Sequence, residues 1–78
     1  MDVAVLDTSR LSDRTVKEAE RFLRDYRHMM NLGARRESAL RLRSVIEAQV
    51  SPPPPATVAS MDVIAVAVSA RRKQLGIG

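Results

Sequence analysis

Between Ser12 and Met30 the apolar residues Val16, Ala19, Phe22, Leu23, Tyr26, Met29 and Met30 recur at steps of three and four. At about 100° per residue, those steps gather the side chains on one face of a helix. Arg14, Lys17, Arg21, Arg24 and His28 keep the same rhythm on the opposite face, with Glu18, Glu20 and Asp25 within pairing distance. The start is marked as well. Ser12 can cap, Asp13 lies where the helix dipole is positive, and Leu11 can staple onto Val16. The pattern predicts an amphipathic helix over about 12–31.

A second apolar set follows at Ala39, Leu42, Val45 and Ile46. If one straight helix ran through Gly33, this set would point roughly 155° away from the first. A single rod could not bury both faces on one partner. A break near Gly33, with the glycine ending the first helix in the left-handed region, resolves the conflict and gives a second helix over about 34–50. Glu37 and Arg41 then stand at favourable i,i+4 spacing. The competing picture is one continuous helix bridging two neighbours in an oligomer.

Ser51-Pro52-Pro53-Pro54-Pro55 must stop the second helix, because each proline removes a backbone donor and biases its predecessor towards extended geometry. The run at 51–56 reads as a rigid polyproline connector rather than a ligand for an aromatic groove. Beyond it, Val63-Ile64-Ala65-Val66-Ala67-Val68 is β-branched enough to suggest a buried strand. Its surroundings favour a helix over about 60–75. Ser60 can cap it, Asp62 falls in the first turn, Arg71, Arg72 and Lys73 fall in the last, and Gly76 follows as a stop. The apolar arc is wide, leaving mainly Asp62, Ser69, Arg72 and Lys73 for water, so this helix is expected between the other two or in an interface. Residues 1–7 alternate loosely and fit an extended arm, a short strand or a frayed lead-in.

The expected fold is therefore all-α: two to three helices forming a small hairpin or bundle in a single domain, 1–78. Composition adds a reason to expect a partner. With 78 residues and no cysteine, the chain has neither the size for a large core nor disulfides to replace one. Aromatics are 3% of the residues, a single Phe22 and a single Tyr26, so small aliphatic side chains must fill the core. The three apolar faces together exceed what such a monomer comfortably covers, which points to self-association or a protein partner. The expected seam is Val16, Leu23, Tyr26, Met30, Leu42, Ile46, Ile64 and Val68.

Candidate chemistry is sparse. The one histidine, His28, lies on a charged face without a nucleophile nearby in sequence, Glu18, Glu20 and Asp25 alternate with arginines as in a salt-bridged solvent face, and Gly33, Gly76 and Gly78 form no phosphate loop. A single His28–Asp25 pair supplies too few metal ligands. The expectation is a non-enzymatic chain with no cofactor, no metal and no small-molecule substrate. The formal charge of +4 permits an anionic partner. Arg35, Arg36, Arg41, Arg43, Arg71, Arg72 and Lys73 could converge on a phosphate backbone, the alternative being a small basic regulator of antitoxin-like organisation. Against it, no helix groups base-reading side chains at its N-terminus, and aromatics for stacking are missing. No signal-peptide pattern or long apolar run stands out, so a cytoplasmic location without membrane insertion is the default expectation.

Overall fold

A computed structural model describes residues 6–76. Three helices form the fold: α1 over Asp13–Asp25, α2 over Leu32–Glu47 and α3 over Ser60–Gln74, with one 3-10 turn at Tyr26–His28. The all-α expectation holds, and 63–68 is helical rather than extended. Helix α3 is central, packing most extensively against α2 and next against α1.

Helix α1 starts as its residues dictate. The Ser12 hydroxyl accepts from the Thr15 amide at 3.2 Å, Asp13 sits in the first turn, and Leu11 is buried just ahead of it. Its end differs from the expected run to 31. The helix stops at Asp25, turns once as 3-10, and Met29 is extended. The break thus falls at Met29–Asn31, not at Gly33. The Asn31 carboxamide accepts from the Ala34 amide at 3.1 Å and starts α2 at Leu32, two residues earlier than expected. Gly33 is then simply a first-turn residue of α2. Among the described residues the positive-φ conformation occurs only at Gly76. A side-chain cap, invisible to periodicity, moves the boundary. Arg35 closes the corner by donating to the Met29 carbonyl at 2.9 Å while its guanidinium lies 5.7 Å from the Tyr26 ring centroid.

Ala39, Leu42 and Ile46 turn α2 inward, while Val45 stays 38% exposed. The expected Glu37–Arg41 pair is not formed. Arg43 and Glu47 pair instead, at 2.7 Å. The helix ends at Glu47 rather than at 50, and a turn carries Val50 into the core.

The proline connector is held from both sides. Ser51 exchanges two backbone hydrogen bonds with Asp7, at 2.7 and 3.1 Å, forming an isolated antiparallel bridge. Asp7 is thereby docked and extended; of the lead-in expected at 1–7, residues 1–5 lie outside the described residues. Pro54 is buried, and Arg43 donates to the carbonyls of Pro55, at 2.9 Å, and of Val58.

Helix α3 buries Val63, Ile64, Ala67, Val68 and Ala70 against both neighbours. Its N-cap is Ala59, not Ser60, and no side chain caps it; Ser60 is the first helical residue. Gly76, at φ 74°, ends it as expected, with the Gly76 amide bonded to the Lys73 carbonyl at 3.1 Å. Near this end Gln74 receives the segment that leads into α1. Its side-chain oxygen accepts from the amide and hydroxyl of the fully buried Thr8, and its nitrogen donates to the Leu6 carbonyl at 3.3 Å.

Candidate interaction surface

The expected seam residues separate into two groups. Leu42, Ile46, Ile64 and Val68 are buried in the core of the single chain, and Val16, Leu23 and Tyr26 are half-buried against that same core. Met30 alone stands clear, 92% exposed. The three amphipathic faces largely satisfy one another inside the monomer, because the break at Met29–Asn31 folds α2 back and α3 covers both earlier helices.

Apolar surface open to water lies elsewhere. Leu32 is 69% and Leu40 50% exposed. With Arg35, Arg36, Ala39, Ala59, Ser60 and Met61 they line a groove between the first half of α2 and the start of α3. These two leucines were absent from the expected seam. The signal was in the phase: with Ala39, Leu42 and Ile46 inward, Leu40 must face outward, about 100° round from Ala39. Down the outer side of α2 run Gly33, Glu37, Leu40, Ser44 and Ala48, all exposed. Among the described residues neither Glu37 nor Arg41 has an ion-pair partner.

The basic residues are mostly engaged within the chain. Arg43, with its side chain 13% exposed, holds Glu47 and two connector carbonyls. Arg71, at 17%, donates to the Thr8 carbonyl at 2.8 Å and to Asp13 at 3.3 Å. Arg72 meets Glu20 at 3.1 Å, and Arg35 holds Met29. Of the seven candidates for phosphate contact, Arg36, Arg41 and Lys73 remain without an ion pair or hydrogen bond among the described residues. They do not form one patch: Arg36 borders Ala59–Met61 at the start of α3, whereas Lys73 is about 18 Å further along that helix.

His28 is exposed at the end of the 3-10 turn. The Asp7 carboxyl is held below its ordinary range, because its Oδ1 accepts from the Ser9 amide at 2.9 Å, helped by the Ser9 hydroxyl and weakly by Arg10. That shift belongs to a turn rather than to a cleft. Among the described residues, no helix is long and apolar enough to cross a membrane.

No protein-family model matches the chain, and neither a curated protein nor a solved structure matches it significantly.

Proposed function

We propose that the protein is a non-enzymatic helical interaction module, acting as a homo-oligomer or as a small accessory subunit of a larger assembly. The observation that carries this reading is the exposure of Met30, Leu32 and Leu40, close together on α2 and its approach, on a chain most of whose other large apolar residues close into one core, Val45 and Leu75 apart. Water-facing leucines and methionine grouped on one helix and its approach cost hydration free energy that a docked protein surface would recover. A cytoplasmic setting forms part of the same reading.

The distribution of arginines also supports it over nucleic-acid binding. Phosphate neutralisation needs several cations free to reach one backbone, and Arg35, Arg43, Arg71 and Arg72 already hold chain carbonyls or carboxylates. The test is solution mass by light scattering after size exclusion, at low and high salt, with and without mixed-sequence DNA. Assembly that ignores DNA, and that is lost when Met30, Leu32 and Leu40 are replaced together by serine, is the expected result. A salt-sensitive mass increase that requires DNA, and that disappears in the Arg36→Gln, Arg41→Gln, Lys73→Gln variant, overturns it in favour of a small basic nucleic-acid-binding regulator.

A further inference from the structure

We infer that the outer face of α2 is a self-complementary surface on which a second copy of this chain docks, the two α2 helices running antiparallel. The inference rests on the interaction-module reading and names its partner and register.

On the outer side of α2 an ion pair that the sequence favours is absent. Glu37 and Arg41 stand at the spacing and in the order that favour an intrahelical bridge, yet both side chains are exposed and unpaired among the described residues, whereas Arg43 and Glu47, further along the helix, are paired. An unpaired acid and base four residues apart on an outer face are complementary to their own copy in reverse. When a two-fold axis sets two such helices antiparallel, Glu37 meets the partner's Arg41 and Arg41 meets the partner's Glu37.

That pairing fixes the register, and the register accounts for other exposed residues. Leu40 comes within about 3 Å, measured along the axis, of the partner's Leu40, so two half-exposed leucines cover each other. Ser44 falls level with the partner's Ala34, and Gly33, which has no side chain, falls level with the partner's Val45. Small residues there let the helices approach closely. Met30, the most exposed large apolar side chain among the described residues, comes near the level of the exposed Ala48 of the partner. The neighbouring ridge Leu32–Arg36–Leu40 gives no such match. Two-fold pairing on it would set Arg36 against the partner's Arg36, a like-charge contact at the axis. Self-pairing therefore uses the outer stripe.

The contact is one helix against one helix. Sixteen residues span about 24 Å, which buries on the order of 1,000 Å² in total, the range of weak and reversible dimers. Association is therefore expected to depend on concentration.

The test is sedimentation equilibrium from about 10 µM to about 1 mM, with circular dichroism to establish that each variant keeps its helices. Wild-type mass is expected to climb towards twice 8.6 kDa. Glu37→Arg and Arg41→Glu singly place like charges at both symmetry-related contacts, and each is expected to weaken the dimer at least about tenfold. The double variant restores both bridges with signs exchanged and is expected to dimerise within about threefold of wild type. Leu40→Glu, at a side chain outside the buried core, is expected to keep its helices and to abolish dimerisation. A wild-type chain that stays monomeric at about 1 mM, or a dimer that the double exchange fails to restore, overturns the proposal. A dimer that tolerates Leu40→Glu and both single charge variants also overturns it, while leaving the interaction-module reading in place on another face.

Discussion

Replacing Arg43 by alanine removes the tie between α2 and the proline connector, and the structure allows the loss to be sized. The guanidinium donates to the Pro55 and Val58 carbonyls and to Glu47. A hydrogen bond involving a charged group contributes about 1.5–3 kcal/mol net when shielded from water. The Arg43 side chain is 13% exposed, but the Pro55 bond is on the solvent side, so the lower end of that range applies to each carbonyl. Glu47, at 37%, can rehydrate, and its pair adds no more than about 0.5 kcal/mol. The sum is about 3 kcal/mol, much of the roughly 3–5 kcal/mol that a domain of this size can muster. At about 4–8 °C per kcal/mol the melting temperature is expected to fall by roughly 12–24 °C. Urea unfolding followed by far-ultraviolet circular dichroism measures it. Arg43→Lys keeps the charge but cannot fork to two carbonyls, so it is expected to recover less than half of the loss. A loss below about 1 kcal/mol for Arg43→Ala, or a lysine variant as stable as wild type, would refute the reasoning.

Two further outcomes follow from the packing and the charges. Ile64→Asp places a carboxylate where the structure has a fully buried side chain in the monomer's own core, so unfolding of the chain itself is expected, read as loss of helical dichroism at every concentration; a folded monomer would contradict the burial. Asp7, held below the ordinary value of 3.8 chiefly by the Ser9 amide, contributes stability that is fully present above that value and is lost as pH falls through its lower folded value. Asp7→Asn is therefore expected to lower the urea midpoint near neutral pH and to converge with wild type in acid; a constant difference down to about pH 2 would show that the carboxylate's charge plays no part.

Periodicity made the helices legible but not the side chains that connect them. The steps through Val16, Ala19 and Phe22 and through Ala39, Leu42 and Ile46 reflect a local constraint, one helix face meeting one core, and a single chain displays it directly. Phase requires a break between α1 and α2 but does not fix its place, because Asn31 acts through its carboxamide, which leaves no mark on periodicity, and Gly33 is absorbed into the first turn of α2. The seam residues illustrate a deeper limit. Apolar spacing identifies which side chains leave water but not which molecule covers them, and here α3 covers Ile46 and Leu42 before any partner can. Of the leucines left over on α2, Leu40 is out of phase with the inward face, whereas Leu32 shares the phase of Ala39 and is exposed as the first residue of the helix, so its exposure follows from where α2 begins.

The arginines carry the same lesson into the energetics. A cluster of basic residues in a chain with charge +4 invites a phosphate reading, yet the structure contains another demand for donors. Four consecutive prolines supply carbonyls without supplying N–H groups, and the backbone at Leu6, Thr8, Met29, Pro55 and Val58 lies outside any helix that could satisfy its oxygens. Arginine meets that demand better than lysine because its fork reaches two acceptors from one stem while its aliphatic part packs on the core. Arg43 closes the connector, Arg35 the α1–α2 corner, and Arg71 with Gln74 the lead-in to α1. In a chain without disulfides or a large aromatic core, these long-range side-chain ties to backbone fix how the helices are joined. The cations left free by this arrangement, Arg41 above all, are then those available to a second copy.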